Sequence, residues 1–98
     1  RAALGGRYQG IRNVAYCRET GCDGAVIQDR VDGCAWRMIA IVKAPTSGDA
    51  ELDRMRFHSA CGRQKLANAE RAQALSVAEA RYRVIFKKTM PLERVLYE

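Results

Sequence analysis

Apolar residues recur at helical spacing along most of this 98-residue chain, the i, i+3, i+4 pattern that lines one face of an α-helix. Tyr8, Ile11, Val14 and Ala15 share such a face and Tyr16 closes the run, predicting a helix near 7–19. Val31, Cys34, Ala35, Met38, Ile41 and Val42 keep the rule and predict a second helix near 29–43. Asp29 stands ahead of it, where a carboxylate accepts a free backbone N–H. Pro45 ends it, because proline lacks a donor and drives the preceding residue out of the helical region. Ala50, Leu52, Met55 and Ala60 predict a third helix near 48–61, opened by Ser47-Gly48-Asp49 and closed by Gly62. Leu75, Ala78, Tyr82, Ile85 and Phe86 form the stripe of a fourth near 68–88. Asn68 is its expected cap, Glu70 lies in its first turn, and Lys87-Lys88 complement the negative end of its dipole. Residues 89–98, which include Pro91, read as a short extension or frayed turn. The one β-leaning stretch, 82–86, sits inside the stronger helical pattern. The expected fold is all-α, a single small domain built as a short antiparallel array of about four helices.

Residues Tyr16, Gly21, Gly24, Val26, Asp29, Ala35-Trp36, Ala40 and Gly48-Asp49-Ala50 fall in the order of a known pattern. An aromatic residue ends helix A, a glycine-containing loop carries Val and Asp, helix B has an Ala-aromatic pair, and Gly-Asp-Ala opens the next unit. Over roughly residues 8 to 60 the chain resembles a Sel-like repeat, the solenoid relative of the tetratricopeptide repeat. The resemblance implies two antiparallel helices brought close by alanines, with Trp36 and Tyr16 filling the space between them and glycines permitting the tight loop. The chain departs from the pattern in a longer loop around Cys22-Asp23, in Pro45, and in Gly33, which costs helix B about 1 kcal/mol relative to alanine. The last helix would act as a cap. About three such units are normally needed for independent stability, so a longer parent chain, a partner or covalent staples must supply the rest.

The composition, 48% hydrophobic and 29% charged, is that of a globular protein. The longest apolar patch, 38–42, is far short of the ~18 residues a membrane span needs. A net charge of +6 invites a nucleic-acid reading, yet the thirteen Arg and four Lys are interleaved with Asp and Glu, and only Lys87-Lys88 are adjacent. Such scatter describes a solvated basic surface rather than a phosphate-tracking stripe. It suits an acidic protein partner or peripheral contact with anionic lipid head groups as well. The sequence begins at Arg1, without an initiator Met or an apolar signal region, which points to a processed protein or a piece of a longer one. Export to a periplasmic or extracellular compartment is expected, with the cytoplasm as the alternative.

The four cysteines, Cys17, Cys22, Cys34 and Cys61, bear most directly on that expectation. An even count in a short exported chain favours disulfides. Of the three possible connectivities, Cys17–Cys22 with Cys34–Cys61 suits the helices best. The first pair would tie the end of helix A to its loop, and the second would join helix B to the next helix. Cysteine-rich members of the resembled family are stapled between adjacent helices, so the resemblance implies stapling in principle, though not this spacing. Closing the loop from Cys34 to Cys61 contributes about 3 kcal/mol in the chain-entropy model. Buried free thiols are one alternative. A zinc site is the other, with Cys17, Cys22, His58 and Cys61 as ligands and His58 and Cys61 at i, i+3 on one helix face. It would lack the tight Cys-x-x-Cys knuckle of structural zinc sites and leave Cys34 over.

His58, the only histidine, reads as a surface or cap-forming residue. The Asp49, Glu51, Asp53 group reads as a charged helix start, since it lacks the ligand pattern of a calcium loop. The stretch 38–42 is apolar on nearly every side, and such a helix is covered on several sides. In so small a domain that points outward, making Trp36, Met38, Ile39 and Val42 the candidate protein-binding residues. No paired carboxylates or nucleophile–base constellation can be argued, and no cofactor or small-molecule substrate is expected. The expected function is a non-enzymatic structural or adaptor protein, an accessory subunit of a larger, membrane-associated assembly. The alternative is a zinc-containing nucleic-acid-binding module.

Overall fold

The structure, a computed structural model, describes residues 7–96. Its helices are α1 (Tyr8–Thr20), α2 (Arg30–Lys43), α3 (Ser47–Cys61), α4 (Asn68–Phe86) and α5 (Leu92–Leu96), with a 3₁₀ turn at Cys22–Gly24 and no strand among the described residues. The fold is all-α. Four of the helices lie within a residue or two of the spans read from periodicity, and α5 is the addition. It forms where the tail was expected to fray, because Met90 and Val95 are both buried in the core and hold this segment down. Residues 97–98 of that tail lie outside the described residues.

The centre of the molecule is α2. Ten consecutive residues, Gly33 to Val42, are buried, and α1, α3, α4 and α5 all pack against this one helix. Trp36, Met38, Ile39 and Val42 are therefore core residues, none more than 5% exposed. Their proposed role as a protein-binding surface is corrected: the cover implied by an all-round apolar helix comes from the chain itself. Ile11 and Ala15 of α1, Ala60 and Cys61 of α3, Ala74, Ala78 and Tyr82 of α4, and Met90 and Val95 complete the cluster.

Close packing of α1 on α2 explains Gly33, which sequence alone shows only as a helix-weakening residue. A β-carbon at this position would lie 2.9 Å from the backbone nitrogen of Glu19 and 3.1 Å from its Cα. The missing side chain is what lets the two backbones meet.

Helix ends follow local chemistry. Asp29 caps α2 as expected, its Oδ1 accepting the Asp32 N–H at 3.0 Å. The α3 cap is Thr46 rather than Ser47, with Thr46 Oγ1 accepting the Asp49 N–H at 3.0 Å. At α4 the cap position is Ala67, which has no side chain to offer. Glu70 Oε1 reaches back to accept the Ala67 N–H at 2.8 Å, and Asn68 stands one residue inside the helix, accepting from Arg71. The same helix stops at Phe86 because Lys87 turns left-handed at φ 60°, leaving Lys87 and Lys88 beyond its end. Gly62 follows α3 in an extended conformation, φ −67° and ψ 168°, rather than the left-handed one common at C-terminal glycines.

Two stability tests follow. Gly33→Ala gains about 1 kcal/mol of helix propensity but forces a methyl group against backbone, where overpacking costs about 1–3 kcal/mol. A net loss of up to about 2 kcal/mol is expected from the shift in urea midpoint. Replacing Cys34 and Cys61 together by alanine should lower stability by about 3 kcal/mol in the same measurement.

Candidate functional site

The cysteines form the two pairs expected. Cys17 and Cys22 are joined with Cα atoms 4.6 Å apart, Cys34 and Cys61 with Cα atoms 5.4 Å apart, and no cysteine is free. The proposed zinc quartet is thereby corrected. Sulfurs of Cys17, Cys22 and Cys61 are spent in disulfides, the last of them inside the core with Cys34. His58 lies exposed on α3 with its ring edge-on to Phe57, centroids 5.4 Å apart. Among the described residues no cluster of three or more His, Cys, Asp or Glu is placed to hold a metal.

The Cys17–Cys22 pair closes an unusual piece of backbone. Gly21 ends α1 at φ 85°, its N–H donating to the Cys17 carbonyl at 2.7 Å. Cys22, Asp23 and Gly24 follow at φ 48°, 57° and 89°, so four consecutive residues are left-handed. Glycine adopts this conformation freely, but for Cys22 and Asp23 it costs roughly 1–2 kcal/mol each. The disulfide holds the run together with bonds from Cys22 N–H to Thr20 Oγ1 (3.2 Å) and from Gly24 N–H to the Gly21 carbonyl (3.0 Å). The far half of the loop is tied separately to α1. Asp29 N–H donates to the Arg18 carbonyl at 2.7 Å, and Gln28 Nε2 to the Glu19 carbonyl at 2.8 Å.

Between these two anchorages the loop presents Val26 and Ile27 to solvent, Ile27 at 82% exposure. Val26 also lines a shallow recess of about 350 Å³ with Asn13, Val14, Cys17 and Arg18 of α1. Tyr16 stands exposed on the same helix. This apolar, braced projection is the candidate site. Sequence reasoning assigned Val26 only a place in the repeat pattern and gave Ile27 none. The available signal was two adjacent β-branched apolar residues in a Gly- and Asp-rich loop, where neither helix nor strand periodicity gives them a buried face.

A polar cluster joins α1 to α3 elsewhere in the molecule. Asp53, read as part of a charged helix start, is completely buried. Its Oδ2 accepts from the Tyr8 hydroxyl and its Oδ1 from Arg12 Nε at 2.9 Å. Arg12 also lies over the Tyr8 ring, 4.7 Å from the centroid, and 3.8 Å from Asp49. Both carboxylate oxygens are occupied by α1 groups, so the cluster ties α1 to α3 instead of offering a base to a ligand. Burial first, then the hydrogen bond and charge of Asp53, push the Tyr8 hydroxyl well above its ordinary value of 10.0. Burial alone would lower Arg12, but its bond to Asp53 and the surrounding negative charge outweigh it and raise the guanidinium further.

Comparison of the chain with protein-family models, with curated proteins and with solved structures finds no match.

The polar tie has a pH signature. Because the folded-state value of Tyr8 lies above the unfolded one, the stability linked to it is intact below about pH 10 and falls as pH rises beyond that, where only the unfolded chain gives up the proton. Tyr8→Phe should cost about 1.5–3 kcal/mol at pH 7, the worth of a hydrogen bond to a charged group. It should also flatten the decline above pH 10 relative to the native chain, read by urea denaturation at several pH values. Asp53→Ala, which leaves the partly exposed Arg12 with only its longer contact to Asp49, should cost about 3 kcal/mol.

Proposed function

We propose that this chain is a non-enzymatic, exported adaptor that binds another protein through the apolar projection at Val26 and Ile27 and the neighbouring recess on α1. The observation that supports it most directly is the 82% exposure of Ile27 on a loop anchored on both sides. Leaving a large aliphatic side chain in water forgoes about 1.5–3 kcal/mol of burial, and a braced loop presents it at little further entropic cost on binding. The core is filled without it, so the projection is not needed to cover α2.

Two disulfides in so small a domain are compatible with a periplasmic or extracellular setting. Among the described residues no helix is long and apolar enough to cross a membrane. The α1–α2 pair is the unit carrying the Sel-like resemblance, and protein binding is the use to which such helix pairs are commonly put.

A photo-crosslinking residue at position 27, in cells of the source organism, tests this. A discrete adduct is expected, competed by excess native protein but not by Ile27→Asp, and absent when the crosslinker stands at Gln64 instead. Adducts equally strong from both positions, or competed equally by Ile27→Asp, would overturn it.

A further inference from the structure

The two disulfides occupy opposite environments. Cys34 and Cys61 are 0% and 2% exposed, enclosed by α2, α3 and the rest of the core. Cys17 and Cys22 are both partly exposed, at the junction of α1 with its loop, and Cys17 lines the solvent-open recess beside Val26. An attacking thiolate must reach a sulfur along the disulfide axis, so access separates the pairs at once.

Backbone strain separates them further. Cys22 lies in the left-handed run Gly21–Cys22–Asp23–Gly24, and two of its four residues are not glycine. Once the bond is opened, Cys22 and Asp23 are free to return to ordinary conformations, so opening is favoured locally. Damage would stop there. Gln28 and Asp29 stay bonded to α1 by their own contacts with Glu19 and Arg18, and the buried pair continues to join α2 to α3.

We propose that Cys17–Cys22 is a redox-sensitive clasp, opened by a dithiol reductant while Cys34–Cys61 stays closed, and that its opening loosens residues 21–26 and dismantles the recess lined by Cys17 and Val26. In the first step a thiolate of the dithiol attacks one sulfur of the pair, forming a mixed disulfide and displacing the other cysteine as a thiolate, which takes up a proton. The second thiol of the reductant, as its thiolate, then displaces the remaining cysteine. Two electrons and two protons pass to Cys17 and Cys22, and the dithiol leaves as its cyclic disulfide. Reversal by an oxidised dithiol closes the clasp again. The consequence for partner binding rests on the docking role proposed for the loop; the clasp itself does not.

Titration of the folded protein with dithiothreitol, followed by alkylation and peptide mass spectrometry, tests this. Cys17 and Cys22 should become alkylated together at reductant concentrations at least about tenfold below those that release Cys34 and Cys61. Over that interval helical circular dichroism should be unchanged, while amide exchange in residues 21–26 accelerates at least about tenfold and that of α2 does not. Joint release of all four cysteines, earlier release of the buried pair, or unchanged exchange in the loop would each overturn the proposal. A Cys17→Ser, Cys22→Ser double variant supplies an independent readout. It should fold and reproduce the fast loop exchange, and failure to fold would show the bond to be a structural requirement instead. Crosslinking from position 27, repeated after selective reduction, separates the two ideas. No adduct in either state defeats the docking role alone, whereas failure of selective alkylation defeats the clasp alone.

Discussion

Burial of α2 from Gly33 to Val42 sets the terms for everything around it. A helix can leave water this completely because its backbone bonds are satisfied internally, but it must then be enclosed on every side and keep no charge unpaired. Arg37, inside the buried stretch, is the difficult member. Its Nε and Nη2 both donate to Oε1 of Glu19, at 3.0 and 2.9 Å, and Glu19 belongs to α1. That carboxylate is within reach because α1 closes onto Gly33 at the same residue. The close approach and the ion pair are thus one arrangement: the glycine brings the counter-charge to the arginine. Glu19 itself remains partly exposed, which limits the desolvation cost of the pair.

The same logic distributes the other charged groups. Asp32, on the first turn of α2, sits between Arg18 of α1 at 3.2 Å and Arg81 of α4 at 2.6 Å. Arg81 lies over the Trp36 ring, 4.6 Å from its centroid. The helices α1 and α4 each reach α2 through an apolar stripe and one guanidinium, and the short C-terminal helix adds a third. Arg94 donates to the Val42 carbonyl at 2.9 Å, satisfying a backbone group at the end of α2. Arg54 of α3 donates in turn to the Arg94 carbonyl at 3.1 Å. Several of the thirteen arginines are therefore internal fastenings, and the net charge of +6 overstates how much cation is available to an anionic partner.

Much of this was legible before any coordinates. Periodicity located α1, α2 and α4 because each buries a stripe and therefore repeats an apolar residue every turn, whereas in α3 two of the apolar residues that marked it, Leu52 and Met55, stand exposed. Pro45 and Asp29 marked boundaries through backbone chemistry alone, and the cysteine pairing followed once the helices were placed. What failed did so for a physical reason. An all-round apolar pattern, as in α2, states that a helix is covered but not by what, so Trp36, Met38, Ile39 and Val42 were assigned to a partner when the chain's own α1, α3, α4 and α5 were the cover. Asp53 was misread because in sequence it joins Asp49 and Glu51 at a helix start. Its burial depends on Tyr8 and Arg12, more than forty residues away, and no local rule sees that distance. Gly33 showed a cost in sequence and revealed its purpose only against Glu19.

The loop between α1 and α2 is where the logic of the core does not apply. Gln28 and Asp29 are fastened to α1, and the left-handed run is held by a disulfide, yet neither fastening buries Val26 or Ile27. A loop serving only to reverse the chain needs polar residues at its tip and no strain in Cys22 or Asp23. Here strain and covalent bracing are combined to hold apolar side chains out in water. Local strain of this kind persists only where surrounding structure imposes it, and it gathers at sites of recognition and switching. The buried Cys34–Cys61 bond and the partly exposed Cys17–Cys22 bond then serve different ends: one joins helices that pack together anyway, the other maintains a surface that would relax without it.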